Sequence, residues 1–206
     1  MDTTRSSRDQ ILDAAESMFS SRGYADVTIS QVCQASGLPV GSIYHHFTNK
    51  FGLLSAVVDR ASTLFFDELP AVEELGGADP LDRLGAYYDR AAEVMRDGVP
   101  FMRLMFLLQL QEDKDGKIAP LVHEARRRVR DELAAAIEPV ARECGAPDAE
   151  ELAEELAELT VSFTAGLVVF AENGAGGVAM GMRRLRQFVL MTIRESAAGR
   201  SVATTP

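Results

Sequence analysis

Apolar positions along this chain recur every three or four residues, and no stretch shows sustained two-residue alternation bounded by hairpin turns. The pattern predicts an all-α protein. Over roughly Arg5 to Arg22, the residues Ile11, Leu12, Ala15, Met18 and Phe19 fall on one helical face, and Gly23 supplies a stop. Thr28 is a natural N-cap for a short helix reaching Ser36, with Ile29, Val32 and Cys33 at i, i+3 and i+4. Gly37 breaks that helix. Pro39, with its φ fixed and no N–H to lose, suits the first turn of a second short helix ending near Phe47.

A longer helix is expected from Asn49 to Glu68, closed by Pro70 and the Gly76-Gly77 pair. Further helices are expected over Pro80 to Arg96, Pro100 to Gln111, Ile118 to Cys144, Asp148 to Glu172 and Val178 to Ala198. The penultimate one carries a seam of Leu152, Leu156, Leu159, Phe163, Leu167 and Phe170. No internal repeat is visible, and the tail after Ala198 reads as frayed.

Composition narrows the class. Of 206 residues, 47% are apolar and 25% charged, the balance of an ordinary folded protein. No apolar run reaches the roughly 18–20 residues needed to span a bilayer, and the first ten residues lack the apolar stretch of a secretion signal, so the expected location is the cytoplasm. The two cysteines, Cys33 and Cys144, are far apart and form no CxxC or His-containing cluster, so neither a metal nor another cofactor is expected.

The net charge of -10 argues at first against a nucleic-acid partner, because duplex affinity rests largely on cations neutralising phosphates. Its distribution changes that conclusion. Between Asp26 and Asp59 there is no acidic residue, and the one full charge is Lys50, with His45 and His46 nearby. The acids sit elsewhere, in Glu150, Glu151, Glu154, Glu155 and Glu158 and between Asp67 and Asp82. A surface cleared of acid can approach phosphate while a distant acidic part keeps the protein soluble.

The run from Thr28 to Lys50 carries the candidate chemistry. Ile29, Val32, Cys33, Leu38, Ile43 and Phe47 form a miniature core, leaving Val40, Gly41, Ser42, Tyr44, His45 and His46 largely outward. A small, uncharged, exposed helix start is the pattern of a helix-turn-helix, whose second helix enters the major groove with its first turns at the base edges. Packing of Tyr44 or the histidines against the first helix is the alternative for any single residue.

The same residues resemble the TetR family signature. Arg8, Ile11, Leu12, Ala14, Ala15 and Phe19 match its opening helix. Gly23-Tyr24, Thr28-Ile29 and the set Gly37, Gly41, Tyr44, His46, Phe47 and Lys50 match its later elements. The motif covers about the first 60 residues. The resemblance implies a head over residues 1–50, a helical ligand-binding and dimerisation domain over 51–198, and a tail over 199–206. It implies that Val40, Gly41, Ser42 and His45 face bases or the groove wall, while Thr28, Tyr44, His46 and Lys50 hold phosphates. Phosphate contacts set register and base contacts carry sequence. Pro39 stands where similar proteins often have a polar residue, and Phe51 where many have an acid.

The resemblance also implies a small-molecule effector and a homodimer. Tyr87, Tyr88, Met95, Phe101, Met102, Met105 and Phe106 crowd the middle helices, and methionine adapts to irregular ligands. Gln109, His123 and Arg127 are candidate orienting groups, with packed core and solvated surface as alternatives. The expected effector is mostly apolar or aromatic. For the dimer, Phe163, Gly166, Leu167 and Phe170 with Leu185, Phe188, Val189 and Thr192 are the candidates, an intrachain core being the alternative.

An enzyme is not expected, since no GxSxG elbow, P-loop, HExxH or Rossmann glycine pattern occurs. The expected function is therefore a ligand-responsive repressor released from a palindromic operator. A helical protein-interaction scaffold, a ligand-responsive activator and a redox sensor at Cys33 are the competing readings.

Overall fold

A computed structural model describes residues 6–170 and 175–203, apart from the side chains of residues 97, 99, 168–170, 175, 176 and 200–203. Among them the regular structure is helical throughout: α1 (Ser7–Arg22), α2 (Ile29–Ser36), α3 (Val40–His46), α4 (Lys50–Asp67), a 3-10 turn (Val72–Glu74), α5 (Pro80–Asp97), α6 (Val99–Leu110), α7 (Ile118–Cys144), α8 (Ala149–Phe170) and α9 (Ala175–Ala203). The all-α expectation holds. The last helix continues to Ala203, beyond the Ala198 expected from the apolar pattern.

The chain divides into two compact units, one made of residues 1–64 and 98–125, the other of 65–97 and 126–206. That division differs from a boundary at residue 50. In the first unit, α1 packs on α2, α3 and α6. Its core joins Ile11, Leu12, Phe19, Val27, Val32, Ile43, Leu53, Leu54 and Val57 to Leu104 and Leu108 of α6 and to Ile118 and Val122 of α7. Burial of this kind contributes about 25 cal/mol per Å² of apolar surface, so a three-helix head gains from borrowing α6. Periodicity could not show this, because it marks an apolar face without naming its partner.

Polar clamps tie the same unit together. Arg60 of α4 donates to the carboxylates of Asp13 at 2.8 Å and Glu16 at 2.7 Å, both on α1. The loop before α7 is fixed by Asp113, whose carboxylate accepts from the N–H groups of Lys117, Ile118 and Ala119 at 3.0, 2.9 and 2.8 Å. These bonds satisfy donors that the first helical turn leaves without intrahelical partners.

In the second unit, α9 packs on α5 and α8. Its buried stripe is Val178, Met182, Leu185, Val189 and Ile193, a spacing that keeps one helical face inward. Arg186 lies against α5: its Nε donates to the Gly85 carbonyl at 3.0 Å, and a Cβ at Gly85 would stand 2.6 Å from the guanidinium. Gly181 gives α8 the same close approach, its missing Cβ occupied by Leu167. Tyr88 of α5 and Thr160 of α8 share a buried hydrogen bond of 2.9 Å.

Candidate nucleic-acid interface

The geometry of α2 and α3 begins at Thr28. Its hydroxyl accepts from the Gln31 N–H at 3.3 Å, and its own N–H donates to Gln31 Oε1 at 2.8 Å. This reciprocal capping box starts α2 abruptly. At the other end Gly37 takes φ 70 and ψ 12, a left-handed conformation that glycine adopts without steric cost, and the chain turns sharply. Pro39 then caps α3 in extended backbone with no side-chain hydrogen bond, as its missing donor and acceptor dictate.

One face of α3 is held and the other is free. Ile43 is fully buried and Phe47 nearly so, pinning the helix to α1 and α2. Outward stand Val40 at 50% exposure, Tyr44 at 55%, and Gly41, His45 and His46. Ser42 is half-buried. Of the residues expected to face bases, Val40, Gly41 and His45 stand open and Ser42 is partly covered. Ring contacts order its far end: His45 and His46 meet edge to face with centroids 5.1 Å apart, and His46 leans on Phe47 at 6.0 Å.

The expected phosphate ligands are less uniform. Thr28 is exposed, yet its hydroxyl also lies 3.2 Å from Gln31 Oε1, so an incoming phosphate competes with the cap. Lys50 is turned inward. Its Nζ donates to the Ala25 carbonyl at 3.2 Å and sits 4.3 Å from the Tyr24 ring centroid, and desolvation there lowers its pKa against a smaller opposing pull from Asp26. The Tyr24 hydroxyl is pushed up, by burial first and by Asp115 second. An exposed cation that sequence reasoning missed is Arg8, whose guanidinium lies 5.6 Å from the Phe47 ring centroid beside α3. Its place in the opening motif was the available signal.

Residues 11–57 match a family model described as bacterial regulatory proteins, tetR family. By this match the helix-turn-helix segment resembles the TetR family. Curated relatives match over part of the chain. The HTH-type transcriptional regulator TtgR of Pseudomonas putida is 36% identical over 74 residues, covering 36% of this chain and 35% of that protein. The HTH-type transcriptional repressor NemR of Escherichia coli (strain K12) is 26% identical over 88 residues, 43% of this chain and 44% of NemR. The chain thus spans about a third of the length of TtgR and under half of NemR.

Solved structures extend the TetR-type likeness to the body at the level of fold. The fatty acid degradation regulator FadR from Bacillus halodurans aligns with a TM-score of 0.74 at 16% identity, over 92% of this chain and 97% of that one. The regulatory protein TetR from Rhodobacter sphaeroides aligns with a TM-score of 0.70 at 22% identity, over 88% and 97%.

The expected effector residues fall in both units of this TetR-type fold. Tyr87, Tyr88 and Met95 are buried in the second unit, where burial pushes the Tyr87 hydroxyl up to about 12 and that of Tyr88 higher still. Phe101 and Met105 instead pack on the head's core, with Met102 and Phe106 half-buried on the same helix. Gln109 and His123 are exposed, and Arg127 pairs with Asp131 at 2.8 Å on the surface. Among the described residues, cavities of about 480, 460 and 530 Å³ are lined by other residues: the α7–α8 turn, the α1–α6 flank, and the surroundings of Tyr24, Lys50 and Asp115.

The dimer candidates divide too. Phe163 and Phe188 are exposed, at 41% and 44%, and Leu159 and Met191 join them. Gly166, Leu167 and Thr192 are half-buried, with the Thr192 hydroxyl donating to the Phe188 carbonyl at 2.9 Å. Leu185 and Val189 are buried within their own chain, at 3% and 0% exposure, on the inward stripe of α9, as the alternative of an intrachain core has it. The side chain of Phe170 lies outside the described residues.

Proposed function

We propose that this chain is a homodimeric, ligand-responsive transcriptional repressor that binds a two-fold-symmetric operator, with α3 of each copy in the major groove. The observation that carries this reading is the open, uncharged face of α3, from Val40 to His46, on a TetR-family head with no acidic residue between Asp26 and Asp59. Val40, Gly41, Ser42 and His45 face the bases. Thr28, Tyr44 and His46 meet phosphate, while Lys50, expected among the phosphate ligands, braces the start of α4 against the Ala25 carbonyl.

Dimerisation is supported by the second unit. Leu159 and Phe163 on α8 and Phe188 and Met191 on α9 expose apolar surface that a second copy would cover. Charge is complementary as well. Glu151, Glu154, Glu155 and Glu158 are exposed on α8, and Arg183, Arg184 and Arg194 on α9, so α8 of one copy suits α9 of the other.

The proposed effector is small and mostly apolar or aromatic, taken up in the body around Tyr87, Tyr88 and Met95. Release follows from a two-state equilibrium: the effector favours one state, shifts α4, and changes the spacing of the recognition helices. What supports α4 as the transmitting element is its continuity, since it begins in the head's unit and ends in the other.

Selection of bound duplexes from a random pool tests the reading. It is expected to return one inverted repeat, whose binding weakens steeply with salt. Recovery of no symmetric site at low ionic strength, with capture of an acidic-surface partner instead, would support the scaffold reading.

A further inference from the structure

Two residues on the outer face of α3 have no explanation inside the molecule. Val40 leaves half of its apolar surface in water at a helix start where a polar residue would serve the fold better. Gly41 sits in the helix with ordinary negative φ, and a Cβ there would meet nothing within 4 Å, so neither backbone conformation nor internal packing requires glycine. A glycine inside a helix weakens it relative to alanine. Both features make sense if something outside the protein comes close to this face: an apolar group against Val40 and a surface that touches the backbone at Gly41.

The surroundings choose among occupants. No acidic side chain occurs between Asp26 and Asp59, which suits a polyanion, and α3 carries no charged hydrogen-bond fork with which to read guanine. In the major groove one base presents an apolar group, the C5-methyl of thymine. Resting on the operator reading above, we propose that Val40 reads a thymine 5-methyl group in each half-site, with Gly41 letting the α3 backbone approach closely enough for that contact. The contact specifies an A·T pair by its methyl rather than by hydrogen bonds.

The test uses the duplex that the full-length protein selects, with its thymines replaced by deoxyuridine one symmetry-related pair at a time, which removes the methyl from both half-sites and leaves the pairing edge intact. Burial of one methyl is worth about four-fold in affinity, so losing it from both half-sites should weaken wild-type binding on the order of ten-fold. Val40→Ala, with a methyl of its own but a shorter reach, should lose most of the discrimination between the thymine and deoxyuridine duplexes at that position. Gly41→Ala should raise the thermal midpoint of the free protein while weakening its binding to the thymine duplex.

A selected half-site with no invariant A·T pair overturns the proposal, as does wild-type binding indifferent to every deoxyuridine swap. So does full retention of the swap's effect in Val40→Ala, or unchanged binding in Gly41→Ala. These outcomes all presuppose a selected duplex; if none is selected, the operator reading itself fails, and the two failures are told apart.

Discussion

The ammonium of Lys50, at the first residue of α4, donates to the backbone carbonyl of Ala25 at 3.2 Å, in the loop between α1 and α2. The contact joins the helix that leaves the head to the frame that holds α3, and the Tyr24 ring beneath it adds a cation–π component. Lys50→Met should therefore lower the stability of the head by about 1–2 kcal/mol and weaken duplex binding. A frame residue leaves the slope of log affinity against log salt unchanged. Flattening of that slope by about 0.9, one phosphate's worth, identifies Lys50 as a phosphate ligand instead.

Arg60 holds α4 to α1 through two carboxylates, and its buried Nε lacks a partner in the structure. Arg60→Met should lower the unfolding free energy by about 1–3 kcal/mol, since Asp13 and Glu16 lose a shared cation while remaining partly solvated. Urea unfolding followed by circular dichroism reads the change. A midpoint equal to wild type would show that the clamp contributes nothing net.

Tyr88 and Thr160 share a buried hydrogen bond between α5 and α8. Tyr88→Phe strands the Thr160 hydroxyl and should destabilise by about 1–2 kcal/mol, whereas Tyr88→Phe with Thr160→Val should recover part of that loss. The double-mutant cycle measures the pair directly, and strictly additive losses would contradict the assignment.

Stability at acid pH carries the mark of Asp113. Hydrogen bonds from the backbone, that of Ala119 foremost, hold its carboxyl below the usual carboxylate range. A carboxyl lowered in the folded state contributes stability above its unfolded value of about 4, and that contribution is lost as pH falls through the folded value. The difference in stability between wild type and Asp113→Ala should be constant above about pH 5 and shrink steadily below pH 4. A difference that grows toward acid would reverse the sign of the account.

Phe163 and Phe188 are exposed in the single chain, so, on the proposed dimer, Phe163→Glu with Phe188→Glu should leave helicity intact and yield a monomer. Sedimentation at micromolar concentration distinguishes the species. A double variant that remains dimeric places the interface elsewhere.

Much of the local structure was legible because local signals decide it. Thr28 and Gly37 bound α2 by capping and a left-handed turn, and the Ile118–Cys144 span follows from Gly116 and Gly145 at its two ends, with Pro139 carried inside the helix. The open face of α3 was legible in part: burying Ile43 turns Gly41 and His45 outward, whereas Val40 shares the stripe of Ile43 and is open because it is the first residue of the helix. What escaped depends on distant partners. Leu104 and Leu108 look like body residues in sequence yet complete the head's core, and Leu185 and Val189 sit on the inward face of α9 although the same helix also shows Phe188 and Met191 to water. An apolar stripe does not name its partner, and Lys50 does not reveal in sequence that a carbonyl and a ring await its ammonium.

The most direct test of the central claim is amide chemical-shift mapping of the full-length protein titrated with its selected duplex. The account expects the largest perturbations at Val40–His46 and at Thr28, with the acidic turns of α8 unmoved. Perturbations centred on α8, or none across α3 at low salt, would contradict it.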